Sequence, residues 1–137
     1  MENALEVSAE AASVFEAKSV LDSQQFDLII TDLSLPDGNG TDILRYLSER
    51  SLPIKSIVFS IYDREPYISE ALNAGANGYL SKRTASDEII NAIHQVMNNN
   101  AFLSQDVLVN LSNSVKGKST VNLDVLTSRE REIFMLL

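Results

Sequence analysis

The sequence has no cysteine and no tryptophan, and only three prolines and five glycines in 137 residues. Without cysteine there is no disulfide and no thiolate metal site, which fits the reducing cytoplasm where we expect the protein to work. No apolar run is long enough to span a bilayer. The acidic opening Met1-Glu2-Asn3 is not followed by the apolar core of a signal peptide. Basic residues are scarce too: 11 against 19 acids leave a net charge of −8. So acidic a chain is repelled by a phosphate backbone, which argues against nucleic-acid binding by this stretch as it stands. There is no internal repeat and no glycine-rich phosphate loop. The length suits one compact domain with a short appendage.

What is present is a regular alternation of strand and helix patterns. Leu5, Val7, Ala9 and Ala11 alternate with Glu6, Ser8 and Glu10, the period of an edge strand with one buried face. Ser13 and Glu16 have the spacing of a capping box and open a helix to about Gln24. Phe26-Asp27-Leu28-Ile29-Ile30-Thr31 is apolar on both faces, as a central parallel strand must be, and it ends in Asp32. The turn Leu33-Ser34-Leu35-Pro36-Asp37-Gly38-Asn39-Gly40 leads to a helix marked by Ile43, Leu44 and Leu47. Ile57-Val58-Phe59 is a second two-sided strand, ending in Ser60. A helix with Pro66 in its first turn follows, stopped by Gly75 in a left-handed conformation.

Tyr79-Leu80 forms a short strand before Ser81-Lys82. Thr84 and Asp87 are spaced to open a helix whose Ile89, Ile90, Ile93, Val96 and Met97 form an apolar stripe, stopped by Asn98-Asn99-Asn100. Ser104 precedes a short helical piece to about Leu111, and a polar linker follows. Thr127 and Glu130 then open a further helix. The order β-α-β-α-β-α-β-α predicts a doubly wound α/β fold on a parallel sheet. Asp32, Ser60 and Lys82 each close or follow a strand, so they share one rim of that sheet, where such folds bind ligands. A carboxylate, a hydroxyl and an ammonium suit phosphoryl transfer: a nucleophile, a hydrogen-bond donor and a neutralising charge. The plainer reading is that strand ends are polar because they meet water.

The Asp-Leu-Ile-Ile-Thr-Asp strand with Leu35-Pro36-Asp37 and Gly40 carries a resemblance, as do Ser60, Ala74 to Lys82, and Leu126-Thr127-Ser128-Arg129-Glu130-Arg131-Glu132. Together they resemble the receiver domain of two-component response regulators, in the branch carrying a LuxR-type (NarL/FixJ-like) helix-turn-helix. The resemblance implies a flavodoxin-like receiver fold with Asp32 as phosphoacceptor for a histidine kinase. It implies Ser60 and Lys82 as phosphoryl contacts, Tyr79 as a switch aromatic, and Mg²⁺ held by Asp32 and the backbone carbonyl of Ser34. The expected partners are the sensor kinase, a second copy in a homodimer, and DNA through the output domain, with no membrane. The expected role is transcription regulation, not enzymatic turnover. Arg83 stands where many receivers have proline.

Receivers begin with a strand that ends in paired acids, followed by a helix. That strand, its acidic pair and most of the helix have no counterpart here, and Glu2, Glu6 and Glu10 fall in the wrong element. Mg²⁺ coordination therefore lacks its usual carboxylates. In the strand order 2-1-3-4-5 the missing strand lies between the Leu5 and Phe26 strands. Three arrangements answer the gap: a natural start further upstream, direct pairing of the two strands, or a neighbouring copy filling it. The expected organisation is a partial receiver over 1–103, a short helix and linker over 104–123, and the start of an incomplete helix-turn-helix over 124–137. Two rival functions stand beside regulated phosphorylation. One is a phosphorylation-independent dimerisation module using the helix from Thr84 to Asn98; the other is a small enzyme acting on a phosphorylated metabolite.

Overall fold

The computed structural model describes residues 5–114 and 131–136. In chain order its elements are β1 (Leu5–Ala11), α1 (Val14–Ser23), β2 (Leu28–Thr31), β3 (Ser34–Leu35), β4 (Gly38–Asn39), α2 (Gly40–Glu49) and β5 (Lys55–Ser60). They continue with α3 (Tyr67–Asn73), β6 (Gly78–Ser81), α4 (Ser86–Met97), β7 (Phe102–Leu103), α5 (Gln105–Ser114) and β8 (Arg131–Leu136). Six strands form one parallel sheet in the order β1-β8-β2-β5-β6-β7, and β3 and β4 make a small antiparallel hairpin in the turn after Asp32. No described helix is long and apolar enough to cross a membrane.

Local chemistry sets most of the boundaries. The Ser13 hydroxyl accepts the Glu16 N–H at 3.1 Å, while the Glu16 carboxylate accepts the Ala12 N–H at 2.8 Å, fixing the start of α1. Asn39 and Asp42 form a reciprocal capping box at the start of α2. The expected Thr84–Asp87 cap does not form. Ala85 takes the N-cap position of α4 with no side-chain cap, and the buried Thr84 hydroxyl has no hydrogen-bond partner among the described residues. Gly75 at φ 114° follows α3, and Asn99 at φ 67° follows α4, so both helices stop where the sequence places their breakers.

The sheet is covered on both sides. On one face Val14, Ala17 and Leu21 of α1 and Ile43 and Leu47 of α2 pack on Ile29, Phe134 and Leu136. On the other, Ala92, Ile93 and Val96 of α4 pack on Leu28, Ile30, Ile57, Leu80 and Ile133. Ile90, expected in the inner stripe of α4, is instead 45% exposed. A third cluster joins α3 and α5 through Ile68, Ala71 and Val107 to Val58 and Tyr79. Val107 is fully buried there, so the helix expected to lie outside the receiver unit shares its core. β7 was not anticipated, because two residues carry no readable period.

The gap between β1 and β2 is filled by neither of the two ways expected within an assembled sheet. The two strands do not pair directly, and no second copy is needed: β8 lies between them, in parallel register with both. The expected helix start at Thr127–Glu130 lies outside the described residues, and the stretch that follows is strand, not helix. The physical reason is in its side chains. Ile133 and Met135 face one helix layer while Phe134 and Leu136 face the other, which is what a strand covered on both sides requires. Phe134 is fully buried and stacks on Phe26 with ring centroids 5.0 Å apart.

Phe134→Ala should therefore cost about 3–5 kcal/mol, whereas Phe15→Ala, at a ring 80% exposed on α1, should stay within about 0.5 kcal/mol. Urea unfolding of the two variants makes the comparison, and equal stabilities would remove β8 from the sheet.

Candidate functional site

Asp32 follows β2 directly, and its backbone is fixed before its side chain is considered. Its N–H donates to the Leu136 carbonyl of β8 at 2.7 Å. Gly40 crosses behind it so closely that a Cβ there would lie 2.1 Å from the Asp32 carbonyl oxygen. Only glycine permits that approach, and the Gly40 N–H closes the turn on the Leu33 carbonyl at 2.8 Å.

The carboxylate is 16% exposed and meets the Lys82 ammonium at 2.9 Å through Oδ2. Oδ1 accepts the Leu33 N–H at 2.7 Å. Lys82 follows β6, its ammonium lying 5.4 Å from the Phe59 ring centroid, and its N–H donates to the Ser60 carbonyl at 3.0 Å. Ser60 ends β5 fully buried; its Oγ accepts the Tyr62 N–H at 3.0 Å, and the hydroxyl also interacts with the Tyr79 phenol. The three residues expected on one rim are thus brought to one rim. Ser34 is exposed at the start of β3.

Tyr79 is buried in β6, and its hydroxyl donates to the Tyr62 carbonyl. Burial, followed by the charges of Asp63 and Asp32, pushes this phenol well above the ordinary tyrosine range. The loop after Ser60 is therefore pinned at Tyr62 from both sides, by Ser60 and by Tyr79.

Sequence reasoning missed a second set of polar residues beside this rim. The Arg83 guanidinium reaches Asp63 at 2.8 Å and Asp106 of α5 at 3.1 Å. Asp106 also accepts the Ser81 hydroxyl at 2.6 Å and the Ser104 hydroxyl at 3.0 Å. Burial works to raise the Asp106 pKa, but the hydrogen bonds from Ser81, Ser104 and Arg83 outweigh it and hold the carboxyl below the ordinary range. The available signal was Ser104-Gln105-Asp106, an acid in the first turn of a helix. It reads as a cap, yet the Ser104 hydroxyl is committed to Asp106 and to the Ser81 N–H.

A divalent cation does not fit the residues present. One Asp32 oxygen is taken by Lys82 and the other by backbone N–H, and the described residues contain no group of three potential metal ligands. The neighbouring strand meets Asp32 with a leucine, where an acidic pair would be needed. The nearby Asp37 carboxylate is committed elsewhere: it accepts the N–H groups of Val14 and Phe15 at 2.7 and 3.0 Å. Those two bonds, Phe15 foremost, lower its pKa.

Comparison with known proteins gives this geometry a context. Residues 1–94 match the family model described as the response regulator receiver domain. The transcriptional regulatory protein UhpA of Salmonella typhimurium is 37% identical over 133 residues, 97% of this chain and 63% of the relative. The nitrate/nitrite response regulator protein NarL of Escherichia coli is 34% identical over 134 residues, 96% of this chain and 62% of the relative. The chain thus spans less than two thirds of either relative. A crystal structure of a LuxR-family two-component response regulator from an Aurantimonas species superposes with a TM-score of 0.72 at 23% identity, covering 76% of this chain and 74% of that one.

Two outcomes test the geometry. Gly40→Ala should cost at least about 1–3 kcal/mol, because the backbone of Asp32 must shift to admit the methyl; an unchanged urea midpoint would contradict the contact. Tyr79 should remain protonated as pH rises through about 10. Its raised pKa means the stability it contributes is present below the unfolded value and is lost as pH climbs through the folded one. The tyrosinate absorbance of native Tyr79→Phe should then match that of the parent up to the pH at which the fold opens. A missing step near 10 would place the phenol in water.

Proposed function

Because the chain belongs to the response regulator receiver family, we propose that Asp32 is its phosphoacceptor, charged by a histidine kinase, in a regulator of transcription. The observation that carries this reading is the meeting of Asp32 and Lys82 at 2.9 Å on the rim where Ser60 also ends its strand. In the step, an Asp32 carboxylate oxygen attacks the phosphorus of a phosphohistidine. The new P–O bond forms as the P–N bond breaks, and the imidazole leaves with its electron pair. Lys82 neutralises charge on the phosphoryl oxygens and the Ser60 hydroxyl donates to one of them. Tyr79 and the Tyr62 carbonyl are the coupled pair through which the loop after Ser60 answers. The output is homodimerisation and DNA binding through an output domain of the LuxR type.

In this family Mg²⁺ supplies charge neutralisation at the acyl phosphate. Asp32 and the Ser34 carbonyl are the groups of this chain that would hold it, a donor set that falls short among the described residues. That shortfall favours a second reading, a receiver-like module that dimerises without phosphate, for which α4 with its exposed Ile90 is the expected surface.

Incubation of the chain with acetyl phosphate, with and without Mg²⁺, separates the two. The first reading expects a mass gain of one phosphoryl group that vanishes in Asp32→Asn and forms about a hundredfold more slowly in Lys82→Ala, the scale of losing one charge-stabilising donor. No adduct under either condition, together with a dimer that persists in Asp32→Asn, would establish the second.

A further inference from the structure

We propose that Arg83 is a positioning residue that couples the Asp32–Lys82 pair to helix α5. It rests on the reading of Asp32 as the functional acid, and it concerns how that acid's state reaches the rest of the molecule.

Two adjacent cations in one loop serve anions on opposite sides. Lys82 turns to Asp32 at 2.9 Å, and Arg83 turns away to Asp63 and Asp106 at 2.8 and 3.1 Å. Their Cα atoms are separated by one peptide unit, so a displacement of one is felt by the other. Arg83 is held at its backbone as well, its N–H donating to the Ser81 hydroxyl at 3.2 Å, and that hydroxyl donates in turn to Asp106. Asp106 gathers four donors from three residues: the Ser81 and Ser104 hydroxyls, and the Nε and Nη2 of Arg83.

The loop after β5 is tied to the same helix. Asn110, one turn beyond Asp106 on the same face of α5, donates its side-chain amide to the Asp63 carbonyl. Asp63 is thus gripped by Arg83 at its carboxylate and by α5 at its backbone. α5 therefore holds the two loops that deliver Ser60 and Lys82, and Arg83 is the residue common to both. Proline, which stands at this place in many receivers, has neither the N–H nor the charge for these contacts. Lysine would keep the charge without the planar fork that spans two carboxylates.

A chain of contacts is a candidate for coupling, and a double-mutant cycle measures it. Amide hydrogen exchange is followed over 105–114 in the full chain for the parent, Asp32→Asn, Arg83→Gln and the double variant, with Arg83→Lys as the conservative control. Arg83 is 74% exposed at its side chain, so its own substitutions should leave the fold intact, and urea unfolding checks this for Asp32→Asn and the double variant. Asp32→Asn, which releases Lys82, is expected to change exchange in the first turns of α5 about fivefold or more, the lower end of coupling between sites. In the Arg83→Gln background the same substitution should leave α5 exchange unchanged, and Arg83→Lys should restore the response only in part. An equal response with and without Arg83, or no response in the parent, overturns the proposal. Because no phosphodonor enters this cycle, a chain that resists acetyl phosphate yet shows the coupling keeps the positioning role of Arg83 and loses the phosphoacceptor reading, while the reverse result loses the role of Arg83 alone.

Discussion

An interior strand of a parallel sheet needs hydrogen-bonding partners along both edges, and in this molecule that requirement is met by joining opposite ends of the sequence. β8 pairs with the inner edge of β1, the sheet's outermost strand, and with the second edge of β2. Were it absent, two rows of backbone N–H and C=O groups would face each other across a strand-wide gap, and Phe26, Ile29 and Leu21 would lose the floor provided by Phe134 and Leu136. The same strand places the Leu136 carbonyl against the Asp32 N–H, so the position of the Asp32 carboxylate depends on the ladder as well.

β8 completes the sheet without adding a polar group to its rim. A strand chosen for two buried apolar faces completes the core; it brings no carboxylate to the rim. Among the described residues Asp32 has one cation partner and its own turn's N–H groups, which leaves a charge-compensated and partly desolvated carboxylate. Lys82 compensates the resting charge of that carboxylate with one ammonium. The polar work is shifted sideways, onto the Arg83, Asp63 and Asp106 bridge and its serine hydroxyls.

Most of the sheet was readable because its strands obey simple periods. Leu28 to Thr31 and Gly78 to Ser81 are buried throughout, and a two-sided apolar run before a polar residue announces such strands and their ends. Asp32, Ser60 and Lys82 were legible for that reason. Helix stops at Gly75 and Asn99 were legible because few residues accept a positive φ. The C-terminal stretch was misread because Thr127 and Glu130 carry a local helix signal, while Ile133 to Leu136 carry a buried-strand signal that only the empty slot in the sheet could give preference to. The Arg83 bridge was invisible for another reason. Its two acidic partners come from the loop after β5 and from α5, and no spacing along the chain encodes their meeting.

The four tyrosines have an optical consequence, since there is no tryptophan to mask them. Tyr46 lies apart, between the Lys18 and Arg50 cations and bonded to Asp22. The other three gather beside the rim that carries Ser60: Tyr62 and Tyr67 with ring centroids 4.9 Å apart, and Tyr79 bonded to the Tyr62 carbonyl. Three of the four rings that set the near-ultraviolet spectrum thus sit on or against the loop following Ser60, and the protein carries an intrinsic chromophore at the segment that leaves the β5 end of the rim.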